Sequence, residues 1–132
     1  MSSALTSALL SCLLAACAPH KADSPTELAD RLTRAVYAND FDTTVSSFDD
    51  ATKRAVTRTD LGALSDRMHA LGTLKSLTER SGSADTGRYE FEAAFTSGTL
   101  LVQMRLDPSG LVGAYRVVSA DTSAPPTPST QG

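Results

Sequence analysis

The chain has 132 residues, 41 % of them hydrophobic and 20 % charged, with a formal net charge of −3. That length allows one domain with an aliphatic core, since there is no Trp and only four Phe and three Tyr. Acids and bases are mixed along the chain, with no arginine cluster or basic stripe, which argues against a nucleic-acid partner. The two cysteines, Cys12 and Cys17, both lie near the start, so no disulfide can brace the body of the domain.

Residues 4–16 form an apolar run too short to span a bilayer and suited to the core of a signal peptide. Leu14-Ala15-Ala16-Cys17 resembles the lipobox of bacterial lipoproteins. That resemblance implies cleavage before Cys17, its lipidation with diacylglycerol and a palmitate-type acyl chain, and a stable membrane anchor. The expected location is the bacterial cell envelope. Ala18 after the lipidated position favours the outer membrane if the source is Gram-negative. The pattern lacks one usual feature, since no Lys or Arg precedes Lys21. An ordinary secretory signal cut near Ala15-Ala16-Cys17 or Ala16-Cys17-Ala18 is the alternative.

The expected organisation is a signal peptide at 1–16, a tether at 17–24, a domain at 25–118 and a disordered Pro/Thr/Ser-rich tail at 119–132. Ser24-Pro25-Thr26-Glu27 predicts a helix start: Ser24 caps, Pro25 suits the first turn and Glu27 completes a capping box. Leu28, Leu32, Ala35 and Val36 follow on one stripe, and Asn39 fits a left-handed terminator. Asp40 caps a second predicted helix whose stripe runs Phe41, Val45, Phe48, Thr52, Ala55 and Val56. A break near Phe48 to Asp50 is open, but the stripe continues through it. A third begins at Thr59 or Asp60, carries Leu61, Leu64, Met68 and Leu71, and stops at Gly72.

Residues 73–80 read as a weak strand and 81–87 as a loop. The clearest pattern follows. Tyr89, Phe91, Ala93 and Phe95 fall on one face at a period of two, as do Leu100, Val102, Met104 and Leu106, with Glu90, Glu92, Thr99, Gln103 and Arg105 on the other. Taking Ser97-Gly98 as a two-residue hairpin link pairs Phe95 with Leu100, Phe91 with Met104 and Glu90 with Arg105. Asp107-Pro108-Ser109-Gly110 is a turn. It leads into a strand over 111–118 with Leu111, Gly113, Tyr115 and Val117 facing inward.

The expected fold is therefore α+β, with three N-terminal helices packed on a curved four-stranded antiparallel meander. The motif Asn39-Asp40-Phe41-Asp42-x-x-Val45-x-x-Phe48-Asp49, the Leu71-Gly72 stop and Leu106-Asp107-Pro108-Ser109-Gly110-Leu111-Val112-Gly113 resemble the nuclear-transport-factor-like (SnoaL-like) cone superfamily. Within it the chain is most similar to the domain-of-unknown-function family 3887, over residues 25–118. The resemblance implies a cone-shaped, cystatin-like fold with an inner pocket and frequent dimerisation through the sheet. It implies no defined activity.

Enzymes of that superfamily hold an Asp, Glu or His base inside the cone. No predicted inward strand position here is an acid or a His, so an enzyme is not expected. An isomerase or cyclase using Tyr89 or Tyr115 to polarise a carbonyl is the alternative. Tyr37, Phe48, Tyr89, Phe91, Met104 and Tyr115 are candidates to line an apolar pocket for a small ligand, although simple core packing is the better account of residues of this kind. Leu101, Val112 and Val118 are candidates for an outer-face homodimer interface. His69 with Asp66 reads as an exposed pair, and His20 stands alone. Asp40 reads as a helix cap and Asp42, Asp49 and Asp50 as a solvated helix face, because the Gly and Glu of a calcium loop do not follow. No metal or other cofactor is expected. The expected role is a non-catalytic ligand- or partner-binding lipoprotein, with a purely structural homodimeric module as a further alternative.

Overall fold

A computed structural model describes residues 23–120. Within them lie four helices, α1 (Pro25–Tyr37), α2 (Phe41–Ser46), α3 (Asp50–Ala55) and α4 (Arg58–His69). Four strands follow, β1 (Leu74–Ser83), β2 (Arg88–Phe95), β3 (Gly98–Leu106) and β4 (Val112–Ser119). The strands form one antiparallel sheet in chain order, so the α+β class and the meander are present. Cys17 and the expected signal peptide lie outside the described residues, as do the tether before residue 23 and the tail after residue 120.

The capping box is made in full: Ser24 Oγ accepts from Glu27 N–H at 3.2 Å, and Ser24 N–H donates to Glu27 Oε2 at 3.0 Å. It aims α1 so that Leu28, Ala29, Leu32 and Val36 enter the core. Ala replacing Ser24 is expected to lower stability by about 1 kcal/mol, read as a lower urea midpoint with an unchanged slope. α1 packs against α2, α4, β1 and β2.

The predicted second helix is two short ones. Between them the main chain of Ser47, Phe48 and Asp49 pairs with the start of β4: Val112 N–H donates to Ser47 O at 2.8 Å, and Asp49 N–H donates to Val112 O at 3.0 Å. Those bonds take the place of helical ones, while Phe48 keeps its place in the core. α4 begins earlier than expected, capped by Thr57 with Asp60 completing a second box.

Three features of the sheet differ from expectation. β1 continues through Ser81, Gly82 and Ser83, which read as loop; irregularities between Leu74 and Ser76 and between Glu79 and Ser81 break the alternation that would have revealed it. The β2–β3 hairpin turns at Thr96-Ser97, so the register is displaced by two residues. Ala93 faces Leu100, Phe91 faces Val102, Tyr89 faces Met104, Glu90 faces Gln103 and Arg88 faces Arg105. Finally, an irregularity between Arg105 and Leu106 leaves Gly113 as an extra residue in β4 and re-phases that strand. Val112 therefore turns inward and is fully buried, while Leu111 is 40 % exposed.

The core joins Leu28, Leu32, Val36, Phe48, Leu61 and Met68 to Phe91, Ala93, Phe95, Leu100, Val102 and Met104. It sits between the helices and one face of the sheet.

Candidate functional site

The six residues expected to line a pocket all belong to this core. Phe48, Phe91 and Met104 are buried members, and Tyr37, Tyr89 and Tyr115 pack against them. Each tyrosine is already engaged. Tyr37 donates its hydroxyl to Gly72 O at 3.1 Å and stacks on His69 with ring centroids 3.9 Å apart. The Tyr89 ring lies over Gly82 of β1 and stacks with Phe91 at 6.4 Å. The Tyr115 hydroxyl lies 2.9 Å from Thr33 Oγ1 on α1. Burial pushes the Tyr115 pKa up from its ordinary value, more than the Thr33 hydrogen bond lowers it. Tyr115 keeps its proton and is not a base.

The predicted interface is corrected at two positions. Val112 is in the core, and Leu101 is fully buried outside the core cluster, between Glu92 and Val118 in the ladder. Val118 alone of the three remains half-buried. A charge at Leu101 would accordingly disturb folding before it reported on association.

His69 pairs with Tyr37 rather than Asp66, its Nε2 lying 2.8 Å from Tyr37 O. Among the described residues no ion pair joins His69 to Asp66, and no group of three or more His, Cys, Asp or Glu could hold a metal. Asp40 and Asp49 cap α2 and α3. Hydrogen bonds from Thr43 and Thr52 hold the two carboxyls below the usual range, and Ser109 does the same for Asp107. These caps work through the ionised form, so their contribution is present above the ordinary carboxylate pKa and fades as pH falls through the lowered values.

On the outer face the strands assemble what the linear sequence does not display. A depression of about 380 Å³ is bordered by Arg88, Glu90, Gln103, Arg105, Ala114 and Arg116, with Ser81 at its edge and Tyr89 and Met104 between them along β2 and β3. Arg88, Arg105 and Arg116 are exposed and come from three consecutive strands; Arg88 and Arg105 are one strand spacing apart, roughly 5 Å, and Arg116 is diagonal to Arg105, roughly 7–8 Å away. Arg88 stands directly opposite Arg105, and Arg116 opposite Gln103. The one carboxylate in the lining, Glu90, accepts from Gln103 Nε2 at 3.2 Å. Arg105 donates to the main-chain carbonyl of Gly113 at 3.1 Å. Among the described residues no ion pair is made by any of the three arginines. The alternation of β2–β4 already puts these residues on one face, and the displaced register changes their partners: pairing Glu90 with Arg105 makes the face look neutralised, whereas Arg88 is the residue opposite Arg105.

Comparison of the chain with family models, with curated proteins and with solved structures finds no match.

Proposed function

We propose that the chain is an exported, lipid-anchored binding protein, with Cys17 carrying the lipid and the outer sheet face serving as its recognition surface. The observation that carries this reading is the arginine-lined depression on that face. The domain is a nuclear-transport-factor-like cone in this reading. The bulges in β1 and β4 support it, because bulged strands bend and can wrap the sheet around α1. The role is non-catalytic in this reading, which is supported by the Tyr115 hydroxyl being already bonded to Thr33 on α1.

Native mass spectrometry of the protein released from membranes tests both halves. The expected species begins at Cys17, carries acyl chains, and retains a ligand or partner. Cys17→Ala is expected to abolish membrane attachment and processing. Unchanged attachment and mature mass in that variant would overturn the anchor. A bare monomer under all release conditions would overturn the binding role.

A further inference from the structure

We propose that the outer-face depression binds a phosphate monoester, held by Arg88, Arg105 and Arg116. This rests on the outer face being the recognition surface and adds the chemical class of what is recognised. Three observations support it. Arg88 and Arg105 are cross-strand neighbours, an arrangement in which like charges repel and destabilise a sheet. An anion between them turns that repulsion into two charge-assisted contacts, and guanidinium forks match phosphate oxygens in pairs. Second, the only acid in the lining accepts from a neutral amide, Gln103, and makes no ion pair with the three arginines among the described residues. Third, the lining itself carries three guanidinium groups against one carboxylate, and the Asp49 carboxylate, which attracts Arg105 near Gly113, lies outside that lining, so the depression keeps a net positive charge. A phosphate monoester near neutral pH carries about −1.5 to −2. The volume is that of a small-molecule site and leaves room for a modest organic group beside the phosphate. Soluble esters and the headgroup of a phosphatidic acid present the same chemistry.

The test is titration of the full-length protein with phenyl phosphate, followed by NMR at the amides of residues 88, 103, 105 and 116 and compared with sodium chloride at equal ionic strength. In parallel, co-sedimentation compares phosphatidylcholine vesicles with and without phosphatidic acid. Arg88→Gln and Arg116→Gln remove charge without touching any hydrogen bond seen in the fold. Each is expected to weaken binding about tenfold or more, as loss of a charge-assisted contact implies. Arg88→Gln should also hold or raise Tm, since it relieves the pair with Arg105, and a merely structural arginine would not behave so. Saturable, arginine-dependent binding of phenyl phosphate supports the proposal with a soluble ester. The same dependence seen with phosphatidic acid vesicles alone supports it with a lipid headgroup. Shifts no larger than those from sodium chloride, together with vesicle binding that survives both substitutions, overturn it. Should native mass spectrometry still show a retained ligand or partner, the binding role stands and the phosphate assignment falls.

Discussion

Phe91→Ala is expected to cost about 3–5 kcal/mol, a large fraction of the stability of a domain this size. Phe91 is fully buried at the centre of the sheet's inner face, flanked in the ladder by Glu79 on β1 and Val102 on β3. Removing its ring deletes contacts to both sides, and the paired main chains prevent the strands from closing the gap. Tm should fall by on the order of 20 °C. Leu111→Ala is the control. The same residue type that fills cores elsewhere is here 40 % exposed, so its removal should stay within about 0.5 kcal/mol. Urea unfolding of the two variants separates them directly. Equal losses would mean that the core lies elsewhere than between α1 and the inner face.

That contrast also shows which parts of the fold are legible in sequence. Local chemistry reads well: the Ser24–Glu27 box, Asp40 as a cap and the left-handed Asn39 (φ 55°) depend only on a few adjacent residues. Tertiary overrides do not. α2 and α3 separate because Val112, sixty-odd residues away in sequence, offers main-chain partners to Ser47 and Asp49. No feature of the stripe from Phe41 to Val56 encodes that partner. Leu111 and Val112 are interchanged for a related reason, since both are apolar and only the extra residue at Gly113 decides which one turns inward.

The hairpin register illustrates a different limit. A slip of two residues returns every side chain to the same face, so the inner set of Tyr89, Phe91, Ala93 and Phe95 is right under either register. The partners are not. Thr96 and Ser97 donate their amides to Thr73 O and Leu71 O, tying the turn to the chain before β1. The Leu71 side chain also packs against Gly98 and sets it at the start of β3. Those long-range ties move the turn by one position, which places Arg88 rather than Glu90 opposite Arg105. The core is insensitive to that displacement, whereas the charge pattern of the outer face depends on it wholly. The candidate site was therefore the less legible part.

Gly87→Ala is expected to destabilise by more than about 2 kcal/mol, because two costs act together. Gly87 sits in the β1–β2 turn at φ +68°, where an L side chain pays about 1–2 kcal/mol. Its carbonyl accepts the Leu106 amide at 2.8 Å, and this close approach puts the Leu106 main-chain oxygen where a Cβ would go. Main chain cannot swing aside as a flexible side chain can. Gly110→Ala isolates the first cost, for Gly110 has φ +86° but nothing within 4 Å of the added carbon. The difference between the two variants in urea unfolding thus measures the steric clash alone, and it should be positive by at least about 1 kcal/mol. Equal losses would show that the turn relaxes without moving Leu106. Movement there has a further consequence, since Leu106 adjoins Arg105 and Gly87 adjoins Arg88. Loosening this contact should blunt the apposition of the two arginines, so Gly87→Ala is expected to weaken phosphate binding while leaving all three guanidinium groups in the chain.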